Sequence, residues 1–156
     1  MPKIVQIGST SYIIPEEGDK AGWGEDTTSW MQGVTDALEN VQGPNDILST
    51  SATLTNNQSS ATNIPGLLFN VAEVESVEID YVIKRVYDSG STTVVESGKI
   101  LGNYDGTDFV ISQETTGDAG VEITVTSSGQ FQYTTSDLAN HVSSVIRFKS
   151  TTIDTP

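Results

Sequence analysis

The stretch SVEIDYVIK, residues 76–84, decides the fold class of this chain. Its side chains alternate between two chemical types. Because successive residues of a strand point to opposite faces, this period of two predicts a β-strand with one buried face. The apolar face carries Val77, Ile79, Tyr81 and Ile83, and the opposite face carries Glu78, Asp80, Val82 and Lys84. The pattern begins near Val74 and predicts a long strand that covers a core on one side.

Five further segments with strand patterns follow, and turn sequences separate them. We expect these strands within residues 93–101, 109–111, 121–125, 131–133 and 144–152. The sequences DSGS at residues 88–91 and YDGT at residues 104–107 are typical of tight hairpin turns. About six strands joined by short turns predict a mainly β chain, folded as an antiparallel β-sandwich or a half-open barrel. We favour the sandwich.

The N-terminal residues follow other patterns. Residues 3–14 hold two short apolar segments, which predict a small hairpin or arm. From residue 27 the apolar period becomes helical, and the Gly-Pro pair at residues 43–44 cannot continue a helix, so we predict one amphipathic helix over residues 27–41. Its apolar stripe consists of Trp30, Val34, Ala37, Leu38 and Val41. A helix of this length is marginal alone in water, so the stripe must pack against a domain or a partner.

These patterns divide the chain into three segments. Residues 1–45 form the arm and helix, which we predict to be a docking and oligomerisation segment. Residues 46–73 are rich in Gln, Asn, Ser and Thr, and we interpret them as a polar, extended linker. Residues 74–156 form the predicted antiparallel sandwich.

Charge and composition exclude several classes of function. The formal net charge is -14, and such a field repels phosphate backbones and anionic lipids, so we predict neither a nucleic-acid nor a membrane partner. No apolar stretch approaches the roughly 20 residues of a membrane span, and the apolar run after Met1 is too short for a signal peptide. The absence of cysteine excludes disulfides, thiolate metal sites and cysteine nucleophiles.

Candidate catalytic groups are isolated from one another in the sequence. The only histidine, His141, lies in a predicted loop, and no G-x-S-x-G motif is present to hold a nucleophilic serine. The carboxylates Glu78, Asp80 and Glu122 alternate with apolar residues, which is typical of solvated strand faces rather than of a glycosidase pair. The DGTD and GD sequences at residues 105–108 and 117–118 resemble calcium loops superficially, but turn chemistry explains them. We therefore predict no catalytic residue, no cofactor and no metal site.

Two parts of the chain resemble virion proteins of tailed bacteriophages. The N-terminal motifs are SYIIP at residues 11–15, WG at residues 23–24 and TSW at residues 28–30. The C-terminal motifs are SVEIDYVIKR at residues 76–85, ESGKI at 96–100, TGDAGV at 116–121 and GQFQYT at 129–134. The resemblance is to decoration and fibre proteins with a small β-domain. It implies an oligomer, usually a trimer, whose N-terminal part attaches to the virion.

The resemblance leads to a first hypothesis. We predict a non-enzymatic virion structural protein of a tailed bacteriophage, such as a capsid decoration protein or a short head-fibre or tail-fibre subunit. Its expected location is the virion, and its expected partners are its own copies and a major capsid or tail protein. The predicted docking and oligomerisation residues are Ile4, Val5, Ile7, Tyr12, Trp23, Trp30, Val34 and Leu38.

The alternative hypothesis is a carbohydrate-binding or receptor-binding adhesin module. Such a module would recognise a glycan of the host surface by stacking sugar rings on aromatic side chains. The candidate contacts are Tyr87, Tyr104 and Tyr133. A flat face with adjacent exposed aromatics would favour this hypothesis over the structural one.

Overall fold

A computed structural model describes residues 3–7, 10–14, 28–29, 31–35 and 43–155. The chain divides into two compact units, Met1–Pro44 and Asn45–Pro156.

The first unit contains a β-hairpin and a short helix. Strands β1 (Lys3–Ile7) and β2 (Thr10–Ile14) pair antiparallel, with Lys3 opposite Ile14 and Ile7 opposite Thr10. This confirms the predicted hairpin. Residues 28–29 and 31–35 are helical and form α1, so the predicted helix is confirmed over these residues, while residues 36–41 lie outside the described ones. In the described part of the chain, no helix is long and apolar enough to cross a membrane.

The second unit is built from eight strands. They are β3 (Thr50–Thr53), β4 (Thr62–Leu68), β5 (Val74–Tyr87), β6 (Thr92–Tyr104), β7 (Phe109–Gly117), β8 (Val121–Val125), β9 (Gln130–Thr135) and β10 (Ser143–Asp154). All six strands predicted from the sequence are present, and most are longer than predicted. The turn at Asp88–Gly90 is a short 3-10 turn, in which Asp88, Ser89 and Gly90 all adopt positive φ.

Two antiparallel sheets enclose one core, which confirms the mainly β, sandwich-type fold. The five-stranded sheet has the order β3-β10-β5-β6-β7, and the three-stranded sheet has the order β4-β9-β8. The long strand β5 is central, because β10 pairs along one side of it and β6 along the other. Its apolar side chains alternate inward as the sequence predicts, from Val77 to Ile83.

Aromatic and branched aliphatic side chains fill the space between the sheets. Phe131 of β9 makes edge contacts with Phe69 and with Phe109 of β7, at centroid separations of 5.9 and 6.2 Å. Each such edge-to-face pair contributes about 0.5–1.5 kcal/mol beyond the stabilisation that comes from its buried area. The same core contains Ile64, Leu67, Ile79, Ile83, Ile100, Ile123, Ile146 and Phe148, all buried.

The structure differs from the prediction over residues 46–73. This segment was predicted to be a polar linker, but it supplies strands β3 and β4, one to each sheet. Its apolar residues are sparse, yet Leu54, Ile64, Leu67 and Phe69 are all at most 2% exposed. Leu54 and Phe69 directly follow β3 and β4, and the irregular pairing of β4 with β9 lets both Ile64 and Leu67 face inward. A polar average composition therefore conceals two core strands. The segment is part of the sandwich.

Candidate functional site

The outer face of the five-stranded sheet carries a distinctive row of charged residues. Cross-strand register places Lys149 of β10 opposite Asp80 of β5, Asp80 opposite Lys99 of β6, and Lys99 opposite Glu114 of β7. Directly paired residues of antiparallel strands share one face. The row therefore reads positive, negative, positive, negative across four strands, and we call it the charge row.

Ion pairs link three of the four residues of the charge row, Lys149, Asp80 and Lys99. Lys149 Nζ lies 3.3 Å from Asp80 Oδ2, and Lys99 Nζ lies 4.0 Å from Asp80 Oδ1 and 2.5 Å from Glu78 Oε1. The bond to Glu78 is the main cause that raises the pKa of Lys99 above its ordinary value. These side chains are about half exposed, so the pairs contribute little stability to the fold. Strand register, however, sets their order across the sheet.

The outer face also gathers the accessible cations of the second unit. Asn45–Pro156 contains five Lys and Arg residues, of which Arg85 is buried. The other four, Lys84, Lys99, Arg147 and Lys149, all lie on the outer face of the five-stranded sheet. Three carboxylates, Glu78, Asp80 and Glu114, accompany them there. This face is thus close to neutral, whereas the exposed ionised side chains described elsewhere in the unit are carboxylates.

Exposed apolar side chains lie on the same face. Of the eight large apolar residues that are exposed in Asn45–Pro156, five belong to it: Val82, Val95, Leu101, Val110 and Ile153, at 44–66% exposure. Strand parity places no aromatic residue on the outer face of β5, β6, β7 or β10. We define the outer sheet face by these five apolar residues, the four cations and the three carboxylates.

Two shallow grooves follow the charge row. One, of about 520 Å³, is lined by Asp80, Lys99 and Glu114 together with the neighbouring residues of β6 and β7. The other, of about 210 Å³, lies beside Val82 and Arg147. Both are open to solvent and share Asp80. Their walls are strand side chains, so the face is a ridged surface rather than a closed pocket.

A buried arginine fixes one end of the sandwich beneath this face. Arg85 Nε donates to Ser144 Oγ at 3.0 Å, Nη1 donates to the carbonyl oxygen of Ala119 at 2.8 Å, and Nη2 donates to Asn56 Oδ1 at 2.6 Å and to the carbonyl oxygen of Ser136 at 2.8 Å. Burial lowers the pKa of Arg85, and the charge of Asp137 offsets part of this effect. These bonds tie four loops and strands to β5.

A buried carboxylate has the corresponding role on β6. Glu96, 4% exposed, accepts hydrogen bonds from the Tyr81 hydroxyl at 2.9 Å and from the backbone N–H of Ala119 at 2.9 Å. Gln113 donates to the same hydroxyl. Burial, and then the bond to Glu96, raise the pKa of Tyr81 well above its usual range. Sequence reasoning missed both Arg85 and Glu96 as buried charges, although β5 parity aligns Arg85 with Ile83 on the inward face.

The predicted docking residues lie partly outside the described residues. Trp23, Trp30 and Leu38 fall outside them. Ile4, Val5 and Ile7 are on β1, Tyr12 is on β2, and only their strand positions are described. Val34 lies on α1 and is half-buried. The docking role of this set stays a prediction.

The structure does not bring the three candidate glycan contacts together. Tyr133 is 3% exposed, and its hydroxyl accepts the backbone N–H of Thr55, so it cannot stack on a sugar and is corrected to a core residue. Tyr87 ends β5 and Tyr104 ends β6 at the opposite end of the sheet, about 40 Å away along the 13-residue strand. Tyr104 is half-buried and packs near Phe109. No shared platform results.

The carboxylates considered for catalysis are separated. Glu78 and Asp80 are on the outer sheet face, whereas Glu122 is exposed on β8 of the other sheet. His141 is half-exposed in the loop before β10, with Nε2 2.8 Å from Ser144 Oγ.

The two loops that resemble calcium loops are Asx-type turns. Asp105 Oδ1 accepts the backbone N–H groups of Thr107 and Asp108, which lower the pKa of Asp105. Asp118 Oδ1 accepts that of Gly120. These hydrogen bonds are the ones expected from turn chemistry in both sequences. In the described part of the chain, no three His, Cys, Asp or Glu side chains cluster as metal ligands do.

Comparison with known proteins gives only distant structural neighbours. No protein-family model matches the chain, and no curated protein sequence matches it significantly. The crystal structure of the tailspike protein of Acinetobacter phage vB_ApiP_P1 aligns with 70% of this chain at 13% identity and a TM-score of 0.37. The tailspike protein of Acinetobacter baumannii phage AM24 aligns with 69% at 11% identity and a TM-score of 0.34. The alignments span 20% and 27% of those tailspike chains.

Proposed function

We propose that this chain is a non-enzymatic structural subunit of a tailed-bacteriophage virion, anchored by Met1–Pro44 and presenting the sandwich Asn45–Pro156. The observation that carries the proposal is the outer sheet face. It combines exposed apolar residues with fixed charges of both signs, which is typical of surfaces that bind proteins. The division into two units supports it as well, because a hairpin and a short helix are suited to docking.

The buried polar groups of the sandwich support a structural role. Arg85 donates hydrogen bonds to loop carbonyl oxygens and to a hydroxyl. Glu96 accepts hydrogen bonds from a hydroxyl and from a backbone N–H. Among the described residues, no buried side-chain nitrogen or oxygen lacks a partner. The interior charges are thus engaged in holding the scaffold. On the outer sheet face, Asp80 and Glu114 line a groove that is open to solvent, with Lys99 between them. This arrangement favours assembly over hydrolysis.

The proposal is tested on particles of the phage that encodes the chain. Quantitative mass spectrometry of gradient-purified particles is expected to find the protein in a fixed copy number per particle. Trp30→Ala is expected to reduce incorporation at least about tenfold, because truncating an anchoring tryptophan typically costs 2 kcal/mol or more. Met31→Ala is the matched control, since Met31 is a neighbouring helical residue that is 58% exposed. Absence of the protein from purified particles would refute the proposal.

The location within the virion follows from the same experiment. A capsid decoration protein is expected to sediment with DNA-filled heads that lack tails. A tail-fibre subunit is expected to sediment with isolated tails. The proposal includes either location, with homo-oligomers of the chain as the working form.

A further inference from the structure

We propose that the outer sheet face binds the same face of a second copy of this chain. The two copies are related by a twofold axis that runs parallel to the strands, between β5 and β6. The proposal deepens the proposed function, on whose assembling role it rests, by naming a contact surface and its partner. It follows from the order of signs in the charge row, from the distribution of charge over the unit and from the positions of the exposed apolar residues.

The charge row is complementary to itself under one operation. A twofold axis in the plane of the face, parallel to the strands, reverses the order of the strands from one copy to the other. Lys149 then lies opposite Glu114 of the second copy, and Asp80 opposite Lys99 of the second copy. Every charge of the row meets the opposite sign. An axis along the row would instead place like charges together, so the sign order selects the first orientation.

One pair of exposed apolar residues obeys the same operation, whereas Leu101 and Val95 would meet Glu78 and Lys84 of the second copy. Register aligns Ile153 of β10, through β5 and β6, with Val110 of β7 at the other side of the sheet. Reversal of the strand order places these two residues opposite each other in the two copies. They are 66% and 60% exposed, and their contact would bury them. In the next row toward Lys84, Val82 would meet Ser97 of the second copy.

The net charge of the chain favours contact between two copies through this face over contact through other surfaces. The chain carries -14 overall, so most contacts between two copies oppose carboxylates to carboxylates. The outer sheet face has four cations and three carboxylates and is therefore the least repulsive surface of Asn45–Pro156. At physiological ionic strength the Debye length is about 8 Å, so charges farther away are largely screened and the local pairs decide.

The face is large enough for a specific contact. Four strands about 4.8 Å apart and nine residues of shared length give roughly 19 by 30 Å, or about 1,100 Å² over two copies, which exceeds the ~1,000 Å² expected of a biological interface. Aligned sheets pack at about 30° to each other, and side chains as long as Lys and Glu tolerate this angle. The absence of outward aromatics favours a protein partner over a sugar.

Two charge reversals and their mixture test the axis. Lys99→Glu places a carboxylate against Asp80 of the second copy, and Asp80→Lys places an ammonium against Lys99 of the second copy. Each variant alone is expected to dimerise at least about tenfold more weakly than the unchanged chain. In a one-to-one mixture, each reversed position meets its complement, so a heterodimer is expected to form. Val142→Glu is the control, because Val142 is 56% exposed outside the face.

The readout is solution mass by light scattering, with circular dichroism to verify that each variant is folded. A dimer of the unchanged chain, its loss in both variants and its return in the mixture are the expected results. A trimer, which the sequence resemblance implies, or a monomer at all concentrations would overturn the twofold contact. So would a mixture that stays monomeric. Incorporation into particles is measured separately, so the proposed virion role can survive failure of this contact.

Introduced cysteines locate the contact independently, because the chain contains none. Chains carrying Val82→Cys, mixed with chains carrying Ser97→Cys, are expected to form an intermolecular disulfide at least about tenfold faster than either mixed with Val142→Cys chains. The proposed axis places positions 82 and 97 of different copies face to face. Equal rates for all mixtures would refute the assigned surface.

Discussion

Removal of the Arg85 side chain is expected to destabilise the sandwich more than any other single charge deletion in it. The guanidinium is fully buried, and its donors reach loop and strand groups on several sides. Arg85→Ala would remove the donors to two buried acceptors, the carbonyl oxygen of Ala119 and Ser144 Oγ, and would leave Ser144 Oγ with His141 Nε2 as its remaining partner. The other acceptors are partly exposed, and water can replace the arginine there.

The magnitude follows from these two acceptors. A hydrogen bond to a charged group contributes about 1.5–3 kcal/mol, so loss of the two bonds from Arg85 to Ala119 and Ser144 costs roughly 4 kcal/mol. A domain of this size has a free energy of unfolding of about 5–15 kcal/mol, so the change removes a large part of it. Arg85→Lys is expected to lower the free energy of unfolding by about 2 kcal/mol, since one ammonium group cannot donate to all of the arginine's acceptors at once.

Urea unfolding followed by circular dichroism measures the effect. With a slope of about 2 kcal/mol per molar urea, Arg85→Ala is expected to lower the midpoint by about 2 M. Lys84→Ala is the matched control, because Lys84 precedes Arg85 on β5, points to the opposite face and is exposed. Its expected effect is within about 0.5 kcal/mol. If Arg85→Ala costs less than about 1 kcal/mol, the assignment of Arg85 as the stabilising centre of that end is wrong.

Three further predictions concern the buried groups of β5 and β6. Glu96→Ala leaves the Tyr81 hydroxyl and the Ala119 N–H without their buried acceptor and should cost about 2–4 kcal/mol in urea unfolding; a cost below 0.5 kcal/mol would contradict this role. The raised pKa of Tyr81 means that its stabilising effect is present below pH 10, the ordinary value, and is lost as the pH rises toward the folded-state pKa. The free energy of unfolding should fall above pH 10 by about 1.4 kcal/mol per pH unit relative to Tyr81→Phe, and parallel profiles would refute the effect. Gly98→Ala would place a methyl carbon 2.5 Å from the carbonyl oxygen of Glu114 and 2.8 Å from the Tyr81 hydroxyl. Thermal unfolding should therefore show a loss of about 1–3 kcal/mol in stability. An unchanged melting temperature would show that the backbone of β6 shifts at Gly98 without cost.

Strand positions were predictable wherever alternation was strong. Residues 76–84 predict β5 because four apolar side chains occur at a period of two with polar residues between them. The same parity continues to Arg85, which therefore belongs to the inner face. Sequence reasoning left it out because an isolated charge is expected to face solvent. Only the acceptors contributed by distant loops make its burial favourable, and these are not visible in local sequence.

The polar segment before β5 shows a second limit of sequence reasoning. Leu54 is isolated among polar residues, and Pro65 and Gly66 interrupt the pattern of β4, where the pairing with β9 is irregular. Both features are typical of loops. The segment is nevertheless held in place by long-range contacts, such as the bond from the Thr55 N–H to the Tyr133 hydroxyl. Such pairing depends on residues about 80 positions away, so no local pattern predicts it.

The buried network and the outer sheet face depend on each other. The sign order of the charge row specifies a partner only if the four strands keep a fixed register, since a slip of one residue would send every charged side chain inward. Arg85 and Glu96 tie β5 and β6 to the surrounding loops from the inner side. Satisfied buried groups of this kind hold positions firmly because any displacement leaves them unpaired. Destabilising the inner network is therefore expected to weaken contacts made by the outer row, whereas reversing a charge in the outer row leaves the fold intact.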